Sequence, residues 1–150
     1  MRKDGGMRER TDIQRAALVF GAVFLLVTIL GFIPGITTDY DRLTTFDDVG
    51  AKLLGIFGVN ILENIVHLLY AIAGFAAAAS FVASRNYFIW GGAVYLVVWL
   101  YGILIDLESS ANFLGVNTAA NWLHFLLGVV MLAVGFLLGR RDYERRAATT

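Results

Sequence analysis

The hydrophobic positions of this chain fall into four long runs separated by short polar stretches. The first covers Ala16 to Ile33 and meets Pro34-Gly35, a pair that ends helices. The second extends from about Asn60 to Ala83 and stops before Arg85. The third runs from Tyr87 to Ile105, before Asp106, and the fourth from about Thr118 to Gly139, before Arg140-Arg141. A helix crosses about 30 Å of hydrocarbon with about 20 residues, which each run can supply. Barrel strands would be about ten residues long with alternating polarity. The helices of a soluble bundle would each carry a polar stripe. The first and third runs have neither feature. The pattern predicts an all-α fold, a four-helix transmembrane bundle. One membrane domain spans 1–150, with helices at about 16–33, 60–83, 87–105 and 118–139 and polar tails at 1–15 and 140–150.

Composition agrees: 58% of residues are hydrophobic and 16% charged, where soluble domains have about 45–50% and about 25%. Basic and acidic residues balance at twelve each, so no net field points to nucleic acid. Their placement is uneven. Ten basic residues lie in the tails and at Arg85, against Arg42 and Lys52 in the other two loops. That asymmetry predicts a multi-pass protein of the cell membrane with both termini cytoplasmic. Tyr40, Tyr87, Trp90, Trp122 and Tyr143 flank the runs as an interfacial belt. The first run is longer than a signal-peptide core and lacks a following A-x-A-like site, so it reads as a retained span. In the segment Ile36 to Val59, the apolar residues Leu53, Leu54, Ile56 and Phe57 predict a short interfacial helix, which Asp47 and Asp48 are placed to cap. Without cysteine, disulfides and thiolate metal sites are excluded.

The chain also repeats itself. Gly21 to Val27 matches Gly92 to Val98, and Gly31 matches Gly102, at an offset of 71 residues. Gly58-Val59-Asn60, Asn64 and His67 match Gly115-Val116-Asn117, Asn121 and His124 at an offset of 57. Bulk hydrophobicity does not explain the pattern Gly-Val-Asn-x-x-x-Asn-x-x-His. The repeating unit is a helical hairpin, 16–83 and then 87–139. Two spans per unit keep both copies in one orientation, related by a parallel pseudo-two-fold axis along the membrane normal.

Both histidines of the chain occupy one position of that repeat. Asn60, Asn64 and His67 share a helix face, as do Asn117, Asn121 and His124, and small residues continue both faces. Such faces point into a bundle. Asn60 and Asn117 read as helix caps, with Glu63 as the capping-box acid of the first. His67, His124, Asn64 and Asn121 lie deeper. They read either as hydrogen-bonded glue between helices or as a functional cluster. Its sharpest chemistry is axial ligation of a b-type haem by the two histidines. Two histidines alone are too few for a metal ion, so no metal site and no catalytic residue is assigned.

Gly31-Phe32-Ile33-Pro34-Gly35, Gly58-Val59-Asn60 with Asn64 and His67, Gly91-Gly92-Ala93-Val94-Tyr95 and Asn121-Trp122-Leu123-His124 together resemble a family of small bacterial four-helix membrane proteins. That family is catalogued as domain of unknown function 4383. The resemblance covers residues 15 to 139 and implies a polytopic membrane location without an established activity. Glu63 stands where a small or polar residue is expected in the family. Taken together, the sequence reads as a non-enzymatic structural or accessory component of the bilayer, pairing with itself or with a membrane partner. A haem-binding redox protein and a carrier of a small molecule or lipid at the repeat interface are the alternatives.

Overall fold

The computed structural model describes residues 9–46 and 50–148. Asp47, Asp48 and the basic residues Arg2, Lys3 and Arg8 lie outside them. Among the described residues, four α-helices make up the body: α1 (Asp12–Gly31), α2 (Ile61–Ala77), α3 (Phe81–Leu104) and α4 (Thr118–Ala147). Helices α1, α3 and α4 are long and apolar enough to cross a membrane. α2, with 17 residues, is about 25 Å long at 1.5 Å per residue. Large apolar side chains such as Val19, Val97, Leu104 and Leu137 lie on the outside of the bundle, the arrangement a lipid environment favours. This is a helical membrane protein.

Several helix boundaries differ from the sequence expectation. α1 starts four residues earlier and ends two residues sooner than the run 16–33. Thr11 starts it, its N–H donating to Gln14 Oε1 at 3.1 Å, and Pro34 denies the residue before it a helical conformation. The second helix ends at Ala77 rather than Ala83, and α3 starts at Phe81 rather than Tyr87. Ser80 decides this: its hydroxyl accepts from Ala83 N–H at 3.1 Å and caps α3. Ser84 Oγ donates to the carbonyl of Ala77, and Gln14 Nε2 donates to that of Ala78. Arg85 is therefore on α3, not in a loop, and packs over Gly139. α4 runs on past Gly139, so 140–147 is helix rather than a separate polar tail. The Arg140–Glu144 pair, four residues apart at 2.8 Å, supports that extension.

The segment after α1 also departs from expectation. In place of an interfacial helix it forms a small antiparallel sheet of β1 (Thr37–Thr38), β2 (Lys52–Leu53) and β3 (Phe57–Gly58), with Thr37 opposite Leu53 and Leu53 opposite Phe57. The β2–β3 turn holds Leu54 at φ 55° and Gly55 at φ 70°. Two consecutive left-handed residues suit a tight hairpin and cannot continue a right-handed helix.

Packing is closest between α1 and α2 and between α3 and α4. A Cβ on Gly74 would sit 3.0 Å from Gly21 Cα, and one on Gly92 would sit 2.9 Å from Gly128 O. Small residues, here glycines, admit such close backbone approach. Where the hairpins meet, aromatic rings fill the core. Phe20 meets Phe88 edge-on at 5.0 Å, and Phe24 stacks on Tyr95 at 5.9 Å. At the end of the bundle where α1 begins, Asp142 of α4 is buried and accepts from Ile13 N–H at 2.8 Å. A carboxylate there satisfies an unpaired donor and opposes the positive end of the α1 dipole. Asp12 pairs with Arg141 and Arg145 beside it.

Candidate functional site

Asn60 and Asn117 each do two jobs at the loop end of the bundle. The Oδ1 of Asn60 accepts from Glu63 N–H at 2.8 Å, and that of Asn117 accepts from Ala120 N–H at 2.9 Å, so both start their helices. Their Nδ2 groups cross to the other hairpin. Asn60 donates to the carbonyl of Phe113 at 3.0 Å, and Asn117 to that of Ile56 at 2.8 Å. Asn112 organises the second loop from within, donating to the carbonyls of Leu107 and Val116 and accepting from Val116 N–H. Sequence reasoning passed over it, because a lone Asn in a short loop carries no distinguishing signal.

The deeper polar residues divide. Asn64 lies over Gly31 and Asn121 over Gly102, where any Cβ would collide with them. They face the partner helix of their own hairpin, not a shared seam with the histidines. The reason is angular: successive helix residues are about 100° apart, and Glu63 is a better match than Asn64 to the direction facing α4. The carboxylate of Glu63 does not return to the N-terminus of α2 as a capping-box acid. It reaches across the bundle, its Oε1 3.1 Å from His124 Nε2.

Glu63, His67 and His124 thus form one buried group, only 6%, 9% and 5% exposed, with ligand atoms all within 4.8 Å of one another. Glu63 and His67, four residues apart on α2, present the same face, and His124 comes from α4. Among the described residues, Glu63 Oε2 and the Nδ1 atoms of both histidines have no hydrogen-bond partner. His67 lies against Phe24 and His124 against Tyr95, and those two rings stack on each other. The donor set is three residues rather than two. The spacing of Glu63 to His67 was the available signal, together with Ala120, which stands at the equivalent place in the second hairpin.

Two cavities flank the group. One of about 300 Å³ lies between α1 and α4, lined by Val19, Val23, Phe24, Leu123 and Leu127 and roofed by Leu53, Leu54 and Phe57. The other, about 170 Å³, lies between α2 and α3 against Val66, Tyr70, Val94 and Val98. Glu63, His67 and His124 border both.

The model of the family described as Domain of unknown function (DUF4383) matches residues 14–137. The chain belongs to that family. No curated protein and no solved structure matches the chain. Family membership assigns no activity, and the chemistry of Glu63, His67 and His124 is argued from geometry.

Proposed function

We propose that this member of the family is a non-enzymatic binding protein of the cell membrane. In this reading it takes up a single-headed amphiphile from the bilayer through the opening between α1 and α4. One observation carries the reading: an apolar cavity that ends on three buried polar side chains. Val19 and Val23 line it and are also half exposed on the outside of the bundle, so it opens sideways toward acyl chains. Ligand sites combine apolar walls with a few polar groups that fix orientation. At about 300 Å³ the space admits a headgroup and the first carbons of a chain, and the remainder of the chain stays in lipid.

The frame for this site, in the same reading, is four membrane crossings built from two duplicated hairpins about a parallel pseudo-two-fold axis. Matching contacts support it. Phe24 meets His67 as Tyr95 meets His124, and Asn60 reaches Phe113 as Asn117 reaches Ile56. Each partner is displaced by the offsets of 71 or 57 that relate the sequences. The excess of basic residues at the helix ends opposite the sheet supports a cytoplasmic placement of both termini. Haem ligation is the weaker reading. Phe24 and Tyr95 lie against the two imidazoles, Glu63 Oε1 stands 3.1 Å from His124 Nε2, and the flanking cavities of about 300 and 170 Å³ are small for a macrocycle.

The test is mass spectrometry of organic extracts from protein purified in lipid nanodiscs, comparing wild type with Ala120→Phe, a change in the cavity wall. The expected outcome is one amphiphile near one per chain in wild type and its loss from the variant at unchanged helicity. Equal extracts from both proteins, or none from either, would refute the binding reading and favour a purely structural component. A Soret band in either preparation would revive haem.

A further inference from the structure

We propose that Glu63, His67 and His124 bind a divalent first-row transition-metal ion of the Zn²⁺, Co²⁺, Ni²⁺ and Fe²⁺ class. The inference rests on the donor set alone and holds whether or not the neighbouring cavity takes an amphiphile.

Two imidazoles and one carboxylate suit these metals, whereas Mg²⁺ and Ca²⁺ prefer all-oxygen sites. Ligands that share one tetrahedral ion at about 2.1 Å stand about 3.4 Å apart. Glu63 Oε1 and His124 Nε2 already stand at 3.1 Å. With every ligand atom within 4.8 Å of the others, at most about 1.4 Å of side-chain movement closes the set. The donors come from two helices, and the cap residues of those helices, Asn60 and Asn117, tie the hairpins together just above.

A hydrogen bond between Glu63 and His124 is the simpler account of those two residues, and it leaves His67 unexplained. His67 is buried, its Nδ1 is unpartnered among the described residues, and it stands one helical turn from the carboxylate. A carboxylate in an apolar interior is costly unless it is paired and its lone pairs are satisfied, and Oε2 of Glu63 has no partner among the described residues. A dication shared with two imidazoles supplies that compensation. In binding, any proton shared by Nε2 and Oε1 moves to Nδ1 of the same imidazole or is released to water, leaving a neutral imidazole and a carboxylate as ligands with the ion between them. Three protein ligands leave at least one coordination position for water or another oxygen donor, and the flanking cavities give it room. The larger cavity extends up to Leu54, exposed at the loop end, which supplies a path from the aqueous side.

The experiment uses full-length protein without a polyhistidine tag, stripped with a chelator in detergent and titrated with Co²⁺ alone. The expected result is one Co²⁺ per chain with a visible absorption band of low-symmetry coordination, displaced by Zn²⁺ and not by excess Mg²⁺ or Ca²⁺. His67→Gln keeps the Glu63–His124 contact and hence the fold. Loss of an outer partner costs about 10–100-fold in affinity, so loss of a ligand should cost about 100-fold or more. Glu63→Gln is expected to do the same. Failure of the wild type to take up Co²⁺ stoichiometrically, or unchanged binding by folded His67→Gln, would overturn the proposal. Neither readout depends on the lipid extracts, so this site and the amphiphile reading fail separately.

Discussion

Truncating Asn60 removes two separable interactions, and the structure lets each be assigned a size. Its Oδ1 caps α2 through Glu63 N–H, a buried contact at 2.8 Å, while its Nδ2 ties the other hairpin at Phe113 O. Loss of an N-cap costs about 1 kcal/mol, and loss of an internal hydrogen bond costs about 1 kcal/mol net. Asn60→Ala should therefore destabilise the protein by about 2 kcal/mol. Asn60→Ser keeps an acceptor suited to the cap but cannot reach Phe113, so it should lose only about half of that. Asn117 makes the same pair of contacts with its cross-hairpin bond exposed to solvent, so Asn117→Ala should fall nearer 1 kcal/mol. Reversible denaturation by SDS in mixed micelles, followed by circular dichroism, measures these differences. If Asn60→Ser matched wild type, the bond to Phe113 would contribute nothing and the account of how the hairpins are joined would be wrong. If it matched Asn60→Ala, the cap would be the negligible part.

Four further outcomes follow from the packing. Gly31→Ala and Gly102→Ala drive a methyl into Asn64 and Asn121, and each should lose about 1–3 kcal/mol in the same assay; neutral variants would mean that the Asn side chains move freely. Asp142→Ala removes the acceptor from Ile13 N–H and should cost about 1–2 kcal/mol, whereas Asp12→Asn, beside exposed arginines, should cost below about 1 kcal/mol and less still in high salt. The cysteine-free chain permits single-cysteine mapping. Leu54→Cys should react with an impermeant maleimide on intact cells, and Ala79→Cys only after permeabilisation; the reverse pattern would refute the proposed orientation. Leu96→Ala should loosen the α3–α4 contact over Gly128 and lower stability by about 2–3 kcal/mol, and an unchanged midpoint would place that interface outside the stabilising core.

The helices were legible because lipid and core both demand apolar side chains, which makes each span a long uninterrupted run. What that signal blurs is where one apolar helix stops and the next starts. Ala78-Ala79-Ser80 contains neither glycine nor proline and continues the hydrophobic run, so the charge on Arg85 looked like the boundary when a serine cap was. The small sheet was illegible for a different reason: strands of two residues have no periodicity to detect. The histidines stood out because each closes the same sequence pattern, Gly-Val-Asn-x-x-x-Asn-x-x-His. Glu63 was misjudged because Asn-x-x-Glu at the start of a helix is also the pattern of a capping box. Its companion reading lay in the comparison of the two hairpins, where Ala120 shows that the cap works without an acid. Asn64 and Asn121 shared a broad polar face with the histidines, and only coordinates show that a rotation of about 60° between positions i and i+3 sends them to different neighbours.

The contacts that clasp the start of α1 to the end of α4 have a practical corollary. With Ile13 tied to Asp142 and Asp12 to Arg141 and Arg145, the open ends of the two hairpins lie side by side, near the three-residue turn at Ala78–Ser80 that joins them. A chain severed at that turn keeps the caps, glycine seams and ring stack on either side of the cut. The molecule is accordingly suited to co-expression as two fragments, or to rejoining in the opposite order through a short linker between the ends of α4 and α1.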